Sequence, residues 1–319
     1  MSLNIVRFSH NDSVFWGVIA GDEINPLTIP CTTTADLLAL GLNALKTDAV
    51  KSSNILNVNQ VTLLSPITNQ AKVLCQGANY RQHMIDSGMD PDAQKFNMFF
   101  TKSSAAITSP RGQIIKPSHV KLLDYEIELT LVLGKKTTGP VQVTATNLHE
   151  FVAGICIGND VSARDVQIPQ MQFHKGKSYR TFCPLGPVLC LLDKDEMHYL
   201  NELKLTLSVN GEIRQNDDTS NLVFKPAETL TEYSQIADFE FGDVLMTGTP
   251  SGCALGLPSP TVLRISGLLP ETTKWQLFLK GQQRRSQYLK AGDQIELRIV
   301  SRDGLIDLGK QLHTVANEK

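Results

Sequence analysis

The sequence predicts a mainly β fold with some α: a mixed β body over residues 69–319, preceded by a small N-terminal α+β unit over residues 1–68. Three observations carry that expectation. Short apolar or alternating runs recur, bounded by Gly, Pro, Asn and Asp, which is the pattern of strands and turns. Asn210-Gly211 stands between Leu205–Val209 and Glu212-Ile213-Arg214 as the signal of a two-residue hairpin. Helical patterns are few, no G-x-G-x-x-G follows a strand and no P-loop is present, which disfavours a doubly wound sheet and dinucleotide or ATP chemistry.

In chain order, Val6-Arg7-Phe8 and Val14 to Ala20 read as strands around a polar turn at His10-Asn11-Asp12. Thr33 to Leu45 has helical spacing of its apolar residues, and Val61 to Pro66 is a strand stopped by proline. Val73 to Gly77 is a short apolar strand, with a helical turn over Tyr80 to Asp86. Phe99 to Lys102, Tyr125 to Leu133 and Leu203 to Val209 follow as strands, and Phe224 to Tyr233 as a helix. Gly242 to Gly248 and Gly292 to Ile299 both read as a turn entering a strand. No repeat period appears, which argues against a solenoid.

Composition narrows the class. Hydrophobic residues make up 41% of the 319, enough for a real core, and the net charge is only −2. No basic cluster interleaves with aromatics, and Arg284-Arg285 is too short for a patch, so no nucleic-acid partner is expected. No apolar run reaches the roughly 18–20 residues that span a bilayer, and Met1 to Val6 lacks a signal-peptide pattern. A soluble, cytoplasmic protein without a membrane partner is expected. The six cysteines are scattered without C-x-x-C spacing, which reads as reduced thiols and disfavours a thiolate zinc site.

Five segments carry candidate chemistry. In Asp124 to Gly134, strand alternation puts Tyr125, Ile127, Leu129, Leu131 and Leu133 on one face and Glu126 and Glu128 on the other. Those two carboxylates start roughly 7 Å apart and repel unless a cation or shared proton intervenes. A solvent-exposed polar face is the competing reading. Gly154 to Gln167 begins apolar and turns polar at Asp160, which would add a third hard oxygen ligand. Three carboxylates without His or Cys suit Mg²⁺ or Mn²⁺ better than zinc. Phe173 to Phe182 is basic and Gly-punctuated; Lys177 could stabilise negative charge on a substrate oxygen, or be a solvated loop lysine, and His174 reads as structural or exposed. His83 and Asp86 share a face of a helical turn, as a base with its orienting carboxylate or as a surface contact. Thr247 to Gly252 could grip an anion at a strand end, or be a plain turn.

Together these segments resemble the fumarylacetoacetate hydrolase family. The resemblance rests on G-x-N-Y-x-x-H at Gly77–His83, D-Y-E-x-E-L at Asp124–Leu129 and N-D-V-S-A-R-D-x-Q at Asn159–Gln167. It continues with G-K-S at Gly176–Ser178 and G-D-V-x-x-T-G-T-P at Gly242–Pro250. Any one motif is weak; the five in order are specific. The resemblance implies a mixed β-roll with a small appended N-terminal domain, assembled as a homodimer. It implies metal ligands at Glu126, Glu128 and Asp160, catalytic His83, Asp86 and Lys177, and substrate contacts from Arg164, Gln167 and Thr249.

The implied activity is Mg²⁺- or Mn²⁺-dependent hydrolytic cleavage of a C–C bond in an acylpyruvate or related 1,3-diketo acid. Water would be activated by His83, oriented by Asp86. The same ligand set also serves oxaloacetate decarboxylation and keto–enol tautomerisation or isomerisation, and a non-catalytic keto-acid-binding protein is a further alternative. Three departures stand out. Asp86 is one methylene shorter than the glutamate common in the family, and Ser178-Tyr179-Arg180 stands where S-F-D is common. The stretch between Gly252 and Gly292 is long; Thr261–Ile265 and Trp275–Leu279 read as an added hairpin at the site rim or dimer edge.

Overall fold

The computed structural model describes residues 2–51, 54–256 and 269–318. Among them strands dominate, gathered into an eleven-stranded and a five-stranded sheet with two short ladders beside them. At the N-terminus, Leu3–His10 and Ser13–Ala20 pair antiparallel. Asn11 and Asp12 both have positive φ (48° and 61°), the two-residue turn whose twist matches its strands. Leu3–His10 also pairs with Leu189–Leu191, so the N-terminal ribbon continues directly into the main sheet. From there the sheet runs through Val152–Asn159, Ile127–Leu133, Val244–Met246, Val73–Gly77 and Met98–Lys102. It is mixed, because Val244–Met246 lies parallel to Val73–Gly77 while the other pairs are antiparallel.

The five-stranded sheet orders Glu212–Asp218, Leu203–Val209, Gln294–Ser301, Asp307–Asn317 and Arg111–Lys116. Its hairpin turns at Asn210 (φ 52°) and Gly211 (φ 81°), as the Asn-Gly pair predicts.

Ile127–Leu133 is buried on both faces, and this explains how the core is layered. Ile127, Leu129, Leu131 and Leu133 pack with Leu205, Leu207, Leu297 and Ile299 of the second sheet. Val132 faces the opposite way, in a cluster with Val244, Met246, Ile5 and Leu37 of an N-terminal helix. The alternation read from the sequence therefore has the right parity. The competing reading of an exposed polar face fails, because the glutamates' side of the strand is covered as well.

Two local expectations are corrected. Thr33 to Leu45 forms two helices, Thr34–Ala39 and Leu42–Ala49, separated at Gly41, whose φ of 77° ends the first. Trp275–Leu279 lies within a helix, Glu271–Gln282, which begins after Pro270; there Trp275 donates to Glu271 one turn back at 3.4 Å. The other half of that expected hairpin, Thr261–Ile265, lies outside the described residues. Among the described residues all six cysteines are free thiols, and no helix is long and apolar enough to cross a membrane.

Candidate active site

The site is assembled by strand register. Ile127 sits opposite Asn159 and Glu128 opposite Gly158, while the N–H of Asp160 donates to the carbonyl of Glu126 at 2.9 Å. Glu126 lies just before the strand and is tied by its N–H to Asn159 Oδ1 at 3.1 Å. Glu126, Glu128 and Asp160 are all buried, and each offers an oxygen within 4.8 Å of the others. They fit a hard divalent cation: the donor set is all carboxylate, and the cysteine beside Glu126 is a thiol. That thiol, Cys253, lies 3.7 Å from Glu126 Oε1, and burial, reinforced by Glu126, pushes its pKa well up, so it offers no thiolate.

The electrostatics of the trio are uneven. Burial would raise the pKa of Glu126, but Arg164 and Lys177 outweigh it and hold the carboxyl well below the usual range. Arg164 donates to Glu126 Oε1, and Lys177 Nζ bridges Glu126 Oε2 and Asp160 Oδ2. Glu128 has no such cation. Its Oε2 accepts the Gly248 N–H at 2.9 Å, while burial and then the charges of Asp160 and Glu126 push its pKa well up. A bound cation would relieve this crowding of like charges.

Eight of the nine expected site residues line one cavity of about 220 Å³: the trio, His83, Arg164, Gln167, Lys177 and Thr249. The same cavity has an apolar lining that includes Met89, Met98, Phe100 and Phe173, and the Lys177 ammonium lies 5.2 Å from the Phe100 ring centroid. Lys177 ends the short helix Phe173–Lys177, and Gly176 before it lets that helix touch the neighbouring one. A Cβ there would lie 2.6 Å from that of Gln167. His83 is half-buried on the helix Arg81–Asp86, and burial lowers its pKa, favouring neutral imidazole.

Asp86 is the exception. It is exposed and bonded away from His83: Oδ1 accepts from Gln82 Nε2 at 2.8 Å, and Oδ2 accepts from Ser251 Oγ. The expected His83–Asp86 pair is therefore not assembled. A short Asp side chain one turn along reaches the Ser251 loop instead. His174 is exposed, with its ring at 3.1 Å from the Thr101 carbonyl, outside the site.

The substrate-contact residues are more engaged than their motif suggests. Arg164 gives Nε to Asp124 at 2.8 Å, Nη2 to Glu126 and Nη1 to Gln167 Oε1 at 2.8 Å. Its fork holds the site together with three of its five N–H groups, and the Gln167 amide NH₂ also has donors to offer. The Thr249 hydroxyl donates to the Ile127 carbonyl at 2.9 Å and accepts from Gln215 Nε2 at 2.8 Å.

Sequence reasoning missed four supporting residues. Asp124 anchors Arg164 and also accepts the N–H groups of Ala254 and Leu255 at 2.7 and 3.0 Å, which brings the start of the long 253–291 stretch to the site. Gln215 reaches from the second sheet to Ile127, Thr249 and Pro250. Asn159 and Lys102 complete the set, the latter donating to Asp160. Asp124 and Asn159 lay inside quoted motifs; for Lys102 the only signal was a lysine closing an apolar strand.

The family model for the fumarylacetoacetate (FAA) hydrolase C-terminal domain matches residues 72–316. The chain is similar to the mitochondrial oxaloacetate tautomerase Fahd2a of Rattus norvegicus, 38% identical over 207 residues. That alignment covers 65% of this chain and 64% of the relative, so it spans less than two thirds of the rat protein. Similarity to the oxaloacetate tautomerase YisK of Bacillus subtilis (strain 168) is 39% over 212 residues, 65% of this chain and 68% of that one. Among solved structures, the fumarylacetoacetate hydrolase from psychrophilic Exiguobacterium antarcticum matches with a TM-score of 0.76 at 28% identity. It covers 99% of this chain and 100% of its own.

Proposed function

Because this chain belongs to the fumarylacetoacetate hydrolase family, we propose that it is a keto–enol tautomerase acting on a small 2-oxo acid of the oxaloacetate kind. One observation carries this reading over hydrolysis. His83 and Lys177 share the cavity with the carboxylate trio, whereas the carboxylate that would orient His83 toward water is bonded to Ser251. Tautomerisation needs a proton moved between carbon and oxygen; hydrolysis needs an activated water as well. Both tautomerase relatives favour the same choice.

A Mg²⁺ or Mn²⁺ ion held by Glu126, Glu128 and Asp160 would supply Lewis-acid polarisation of the keto acid's oxygens. The chain's own groups divide the remaining work. His83, neutral through burial, takes the proton from the carbon beside the keto group and hands it to the former keto oxygen, giving the enol; ketonisation runs the same transfer in reverse. The Lys177 ammonium hydrogen-bonds the oxygen on which negative charge develops; burial would weaken its hold on the proton, but Asp160 and Glu126 outweigh that and keep it charged. The Gln167 amide donates to the substrate's carboxylate end. The apolar lining at Met98 and Phe100 excludes bulk water from the exchanging proton.

The test follows enol oxaloacetate by ultraviolet absorbance with Mg²⁺ or Mn²⁺, beside an acylpyruvate panel assayed for pyruvate. Accelerated enol–keto exchange with little acylpyruvate cleavage is expected. Cleavage without exchange would restore the hydrolase reading. Inactivity on both, with cation binding retained, would favour a binding protein.

A further inference from the structure

Lys177 apart, each carboxylate of the trio has one oxygen engaged by a donor outside the trio, and the second oxygen is not reached by those donors. Arg164 takes Glu126 Oε1, the Gly248 N–H takes Glu128 Oε2, and Lys102 Nζ takes Asp160 Oδ1. The remaining oxygens are Glu126 Oε2, Glu128 Oε1 and Asp160 Oδ2. Lys177 bridges the first and last of these. Ser162 Oγ is 3.5 Å from Glu126 Oε2, but its proton goes to the Asp160 carbonyl at 2.9 Å.

Lys102 is the donor with no other part in the site. It ends the strand Met98–Lys102 and its side chain has no exposed surface. It does not line the cavity and so does not reach a substrate. Its one other bond is to the Val161 carbonyl at 3.3 Å. A buried ammonium is costly unless paired, and this one is paired with a residue of the trio.

We propose that Lys102 is a positioning residue that keeps Asp160 Oδ1 away from the cation, so that Asp160 binds through Oδ2 alone and the site selects a small six-coordinate cation over a larger one. This rests on the reading of the trio as a cation site. The physical basis is coordination number. Mg²⁺ demands six ligands in near-octahedral geometry, whereas Ca²⁺ takes six to eight oxygens and accepts both oxygens of one carboxylate. Withholding Oδ1 therefore penalises Ca²⁺ more than Mg²⁺. The positive charge of Lys102 repels both dications about equally, so the ratio of their affinities isolates geometry from charge.

The experiment titrates chelator-stripped full-length protein with MgCl₂, MnCl₂ and CaCl₂ by calorimetry, as wild type and as Lys102→Met. The Ca²⁺-to-Mg²⁺ affinity ratio is expected to rise at least about tenfold in the variant. An unchanged ratio in a variant with native circular dichroism overturns the proposal while leaving the cation site standing. Wild-type protein that binds none of the three ions overturns the cation-site reading itself. Should Lys102→Met not fold, water-proton relaxation on the wild-type Mn²⁺ complex decides. Three single-oxygen ligands leave about three inner-sphere waters, and two or fewer would refute the one-oxygen Asp160.

Discussion

Asp160 donates its backbone N–H to the carbonyl of Glu126 at 2.9 Å, and this bond locks the third carboxylate beside the other two. It continues the ladder in which Glu128 faces Gly158 and Ile127 faces Asn159. A slip of one residue would turn Glu128 to the opposite face, so the site and the sheet's register are the same feature.

Glu128→Gln separates cation binding from folding. Glu128 has a single backbone donor and no cationic partner, and it sits among like charges. Removing its charge is expected to weaken Mg²⁺ or Mn²⁺ binding at least about tenfold. In chelator, the same change should raise the thermal midpoint by about 2 °C, because one uncompensated buried carboxylate is gone. Calorimetry and thermal melts read the two effects separately; a melt that falls in chelator would mean that the crowding is misjudged.

His83 and Asp86 should behave as unrelated residues. His83→Ala is expected to cost about 10²–10⁴ in turnover as a lost general base. Asp86→Ala removes exposed hydrogen bonds to Gln82 and Ser251 and should leave the rate within about fivefold. The wild-type pH profile should rise as His83 loses its proton. Burial lowers its pKa, so that limb lies below the ordinary histidine value of 6.5 and disappears in His83→Ala. Equal losses in both variants would argue for a working dyad and hence for hydrolysis.

Gly158→Ala tests how tightly the two strands approach at the site. A Cβ there would lie 2.4 Å from Thr130 Oγ1 and 2.8 Å from Met246 Cε. Met246 can give way, but Thr130 is β-branched and buried, so relief requires backbone movement opposite Glu128. A loss of about 1–3 kcal/mol in denaturant unfolding is expected, with weaker cation binding. Unaltered stability would show the strands to be looser than the contact distances imply.

His313 sets an acid limit on stability away from the site. It is buried in the strand Asp307–Asn317, and burial pushes its pKa down to about 4. The folded state therefore binds fewer protons than the unfolded state between about pH 4 and the ordinary value near 6.5. Its contribution is fully present above that ordinary value and is lost as pH falls through the window, on the order of 3 kcal/mol in all. Denaturant unfolding of His313→Gln at pH 7 and pH 4.5 should show a shallower decline than wild type.

The sequence by itself determined the local geometry. Period-two alternation put Glu126 and Glu128 on one side of a strand, and the Asn210-Gly211 pair specified its hairpin. Asp160 was legible because an apolar strand broke into polar residues at its end. These are short-range facts, set by backbone sterics over a few residues. Only the tertiary structure decided the rest. Asp86 lies one helical turn from His83, yet its carboxylate is bonded to Gln82 and to the Ser251 loop, 165 residues away. Trp275–Leu279 suits strand or helix by composition, and lies within a helix that follows Pro270. Lys102 meets Asp160 across 58 residues of chain, through a sheet whose strand order mixes parallel and antiparallel neighbours. No spacing rule spans such a distance. Spacing identified the carboxylates, whereas which oxygen each carboxylate leaves over depends on donors that folding delivers from elsewhere in the chain.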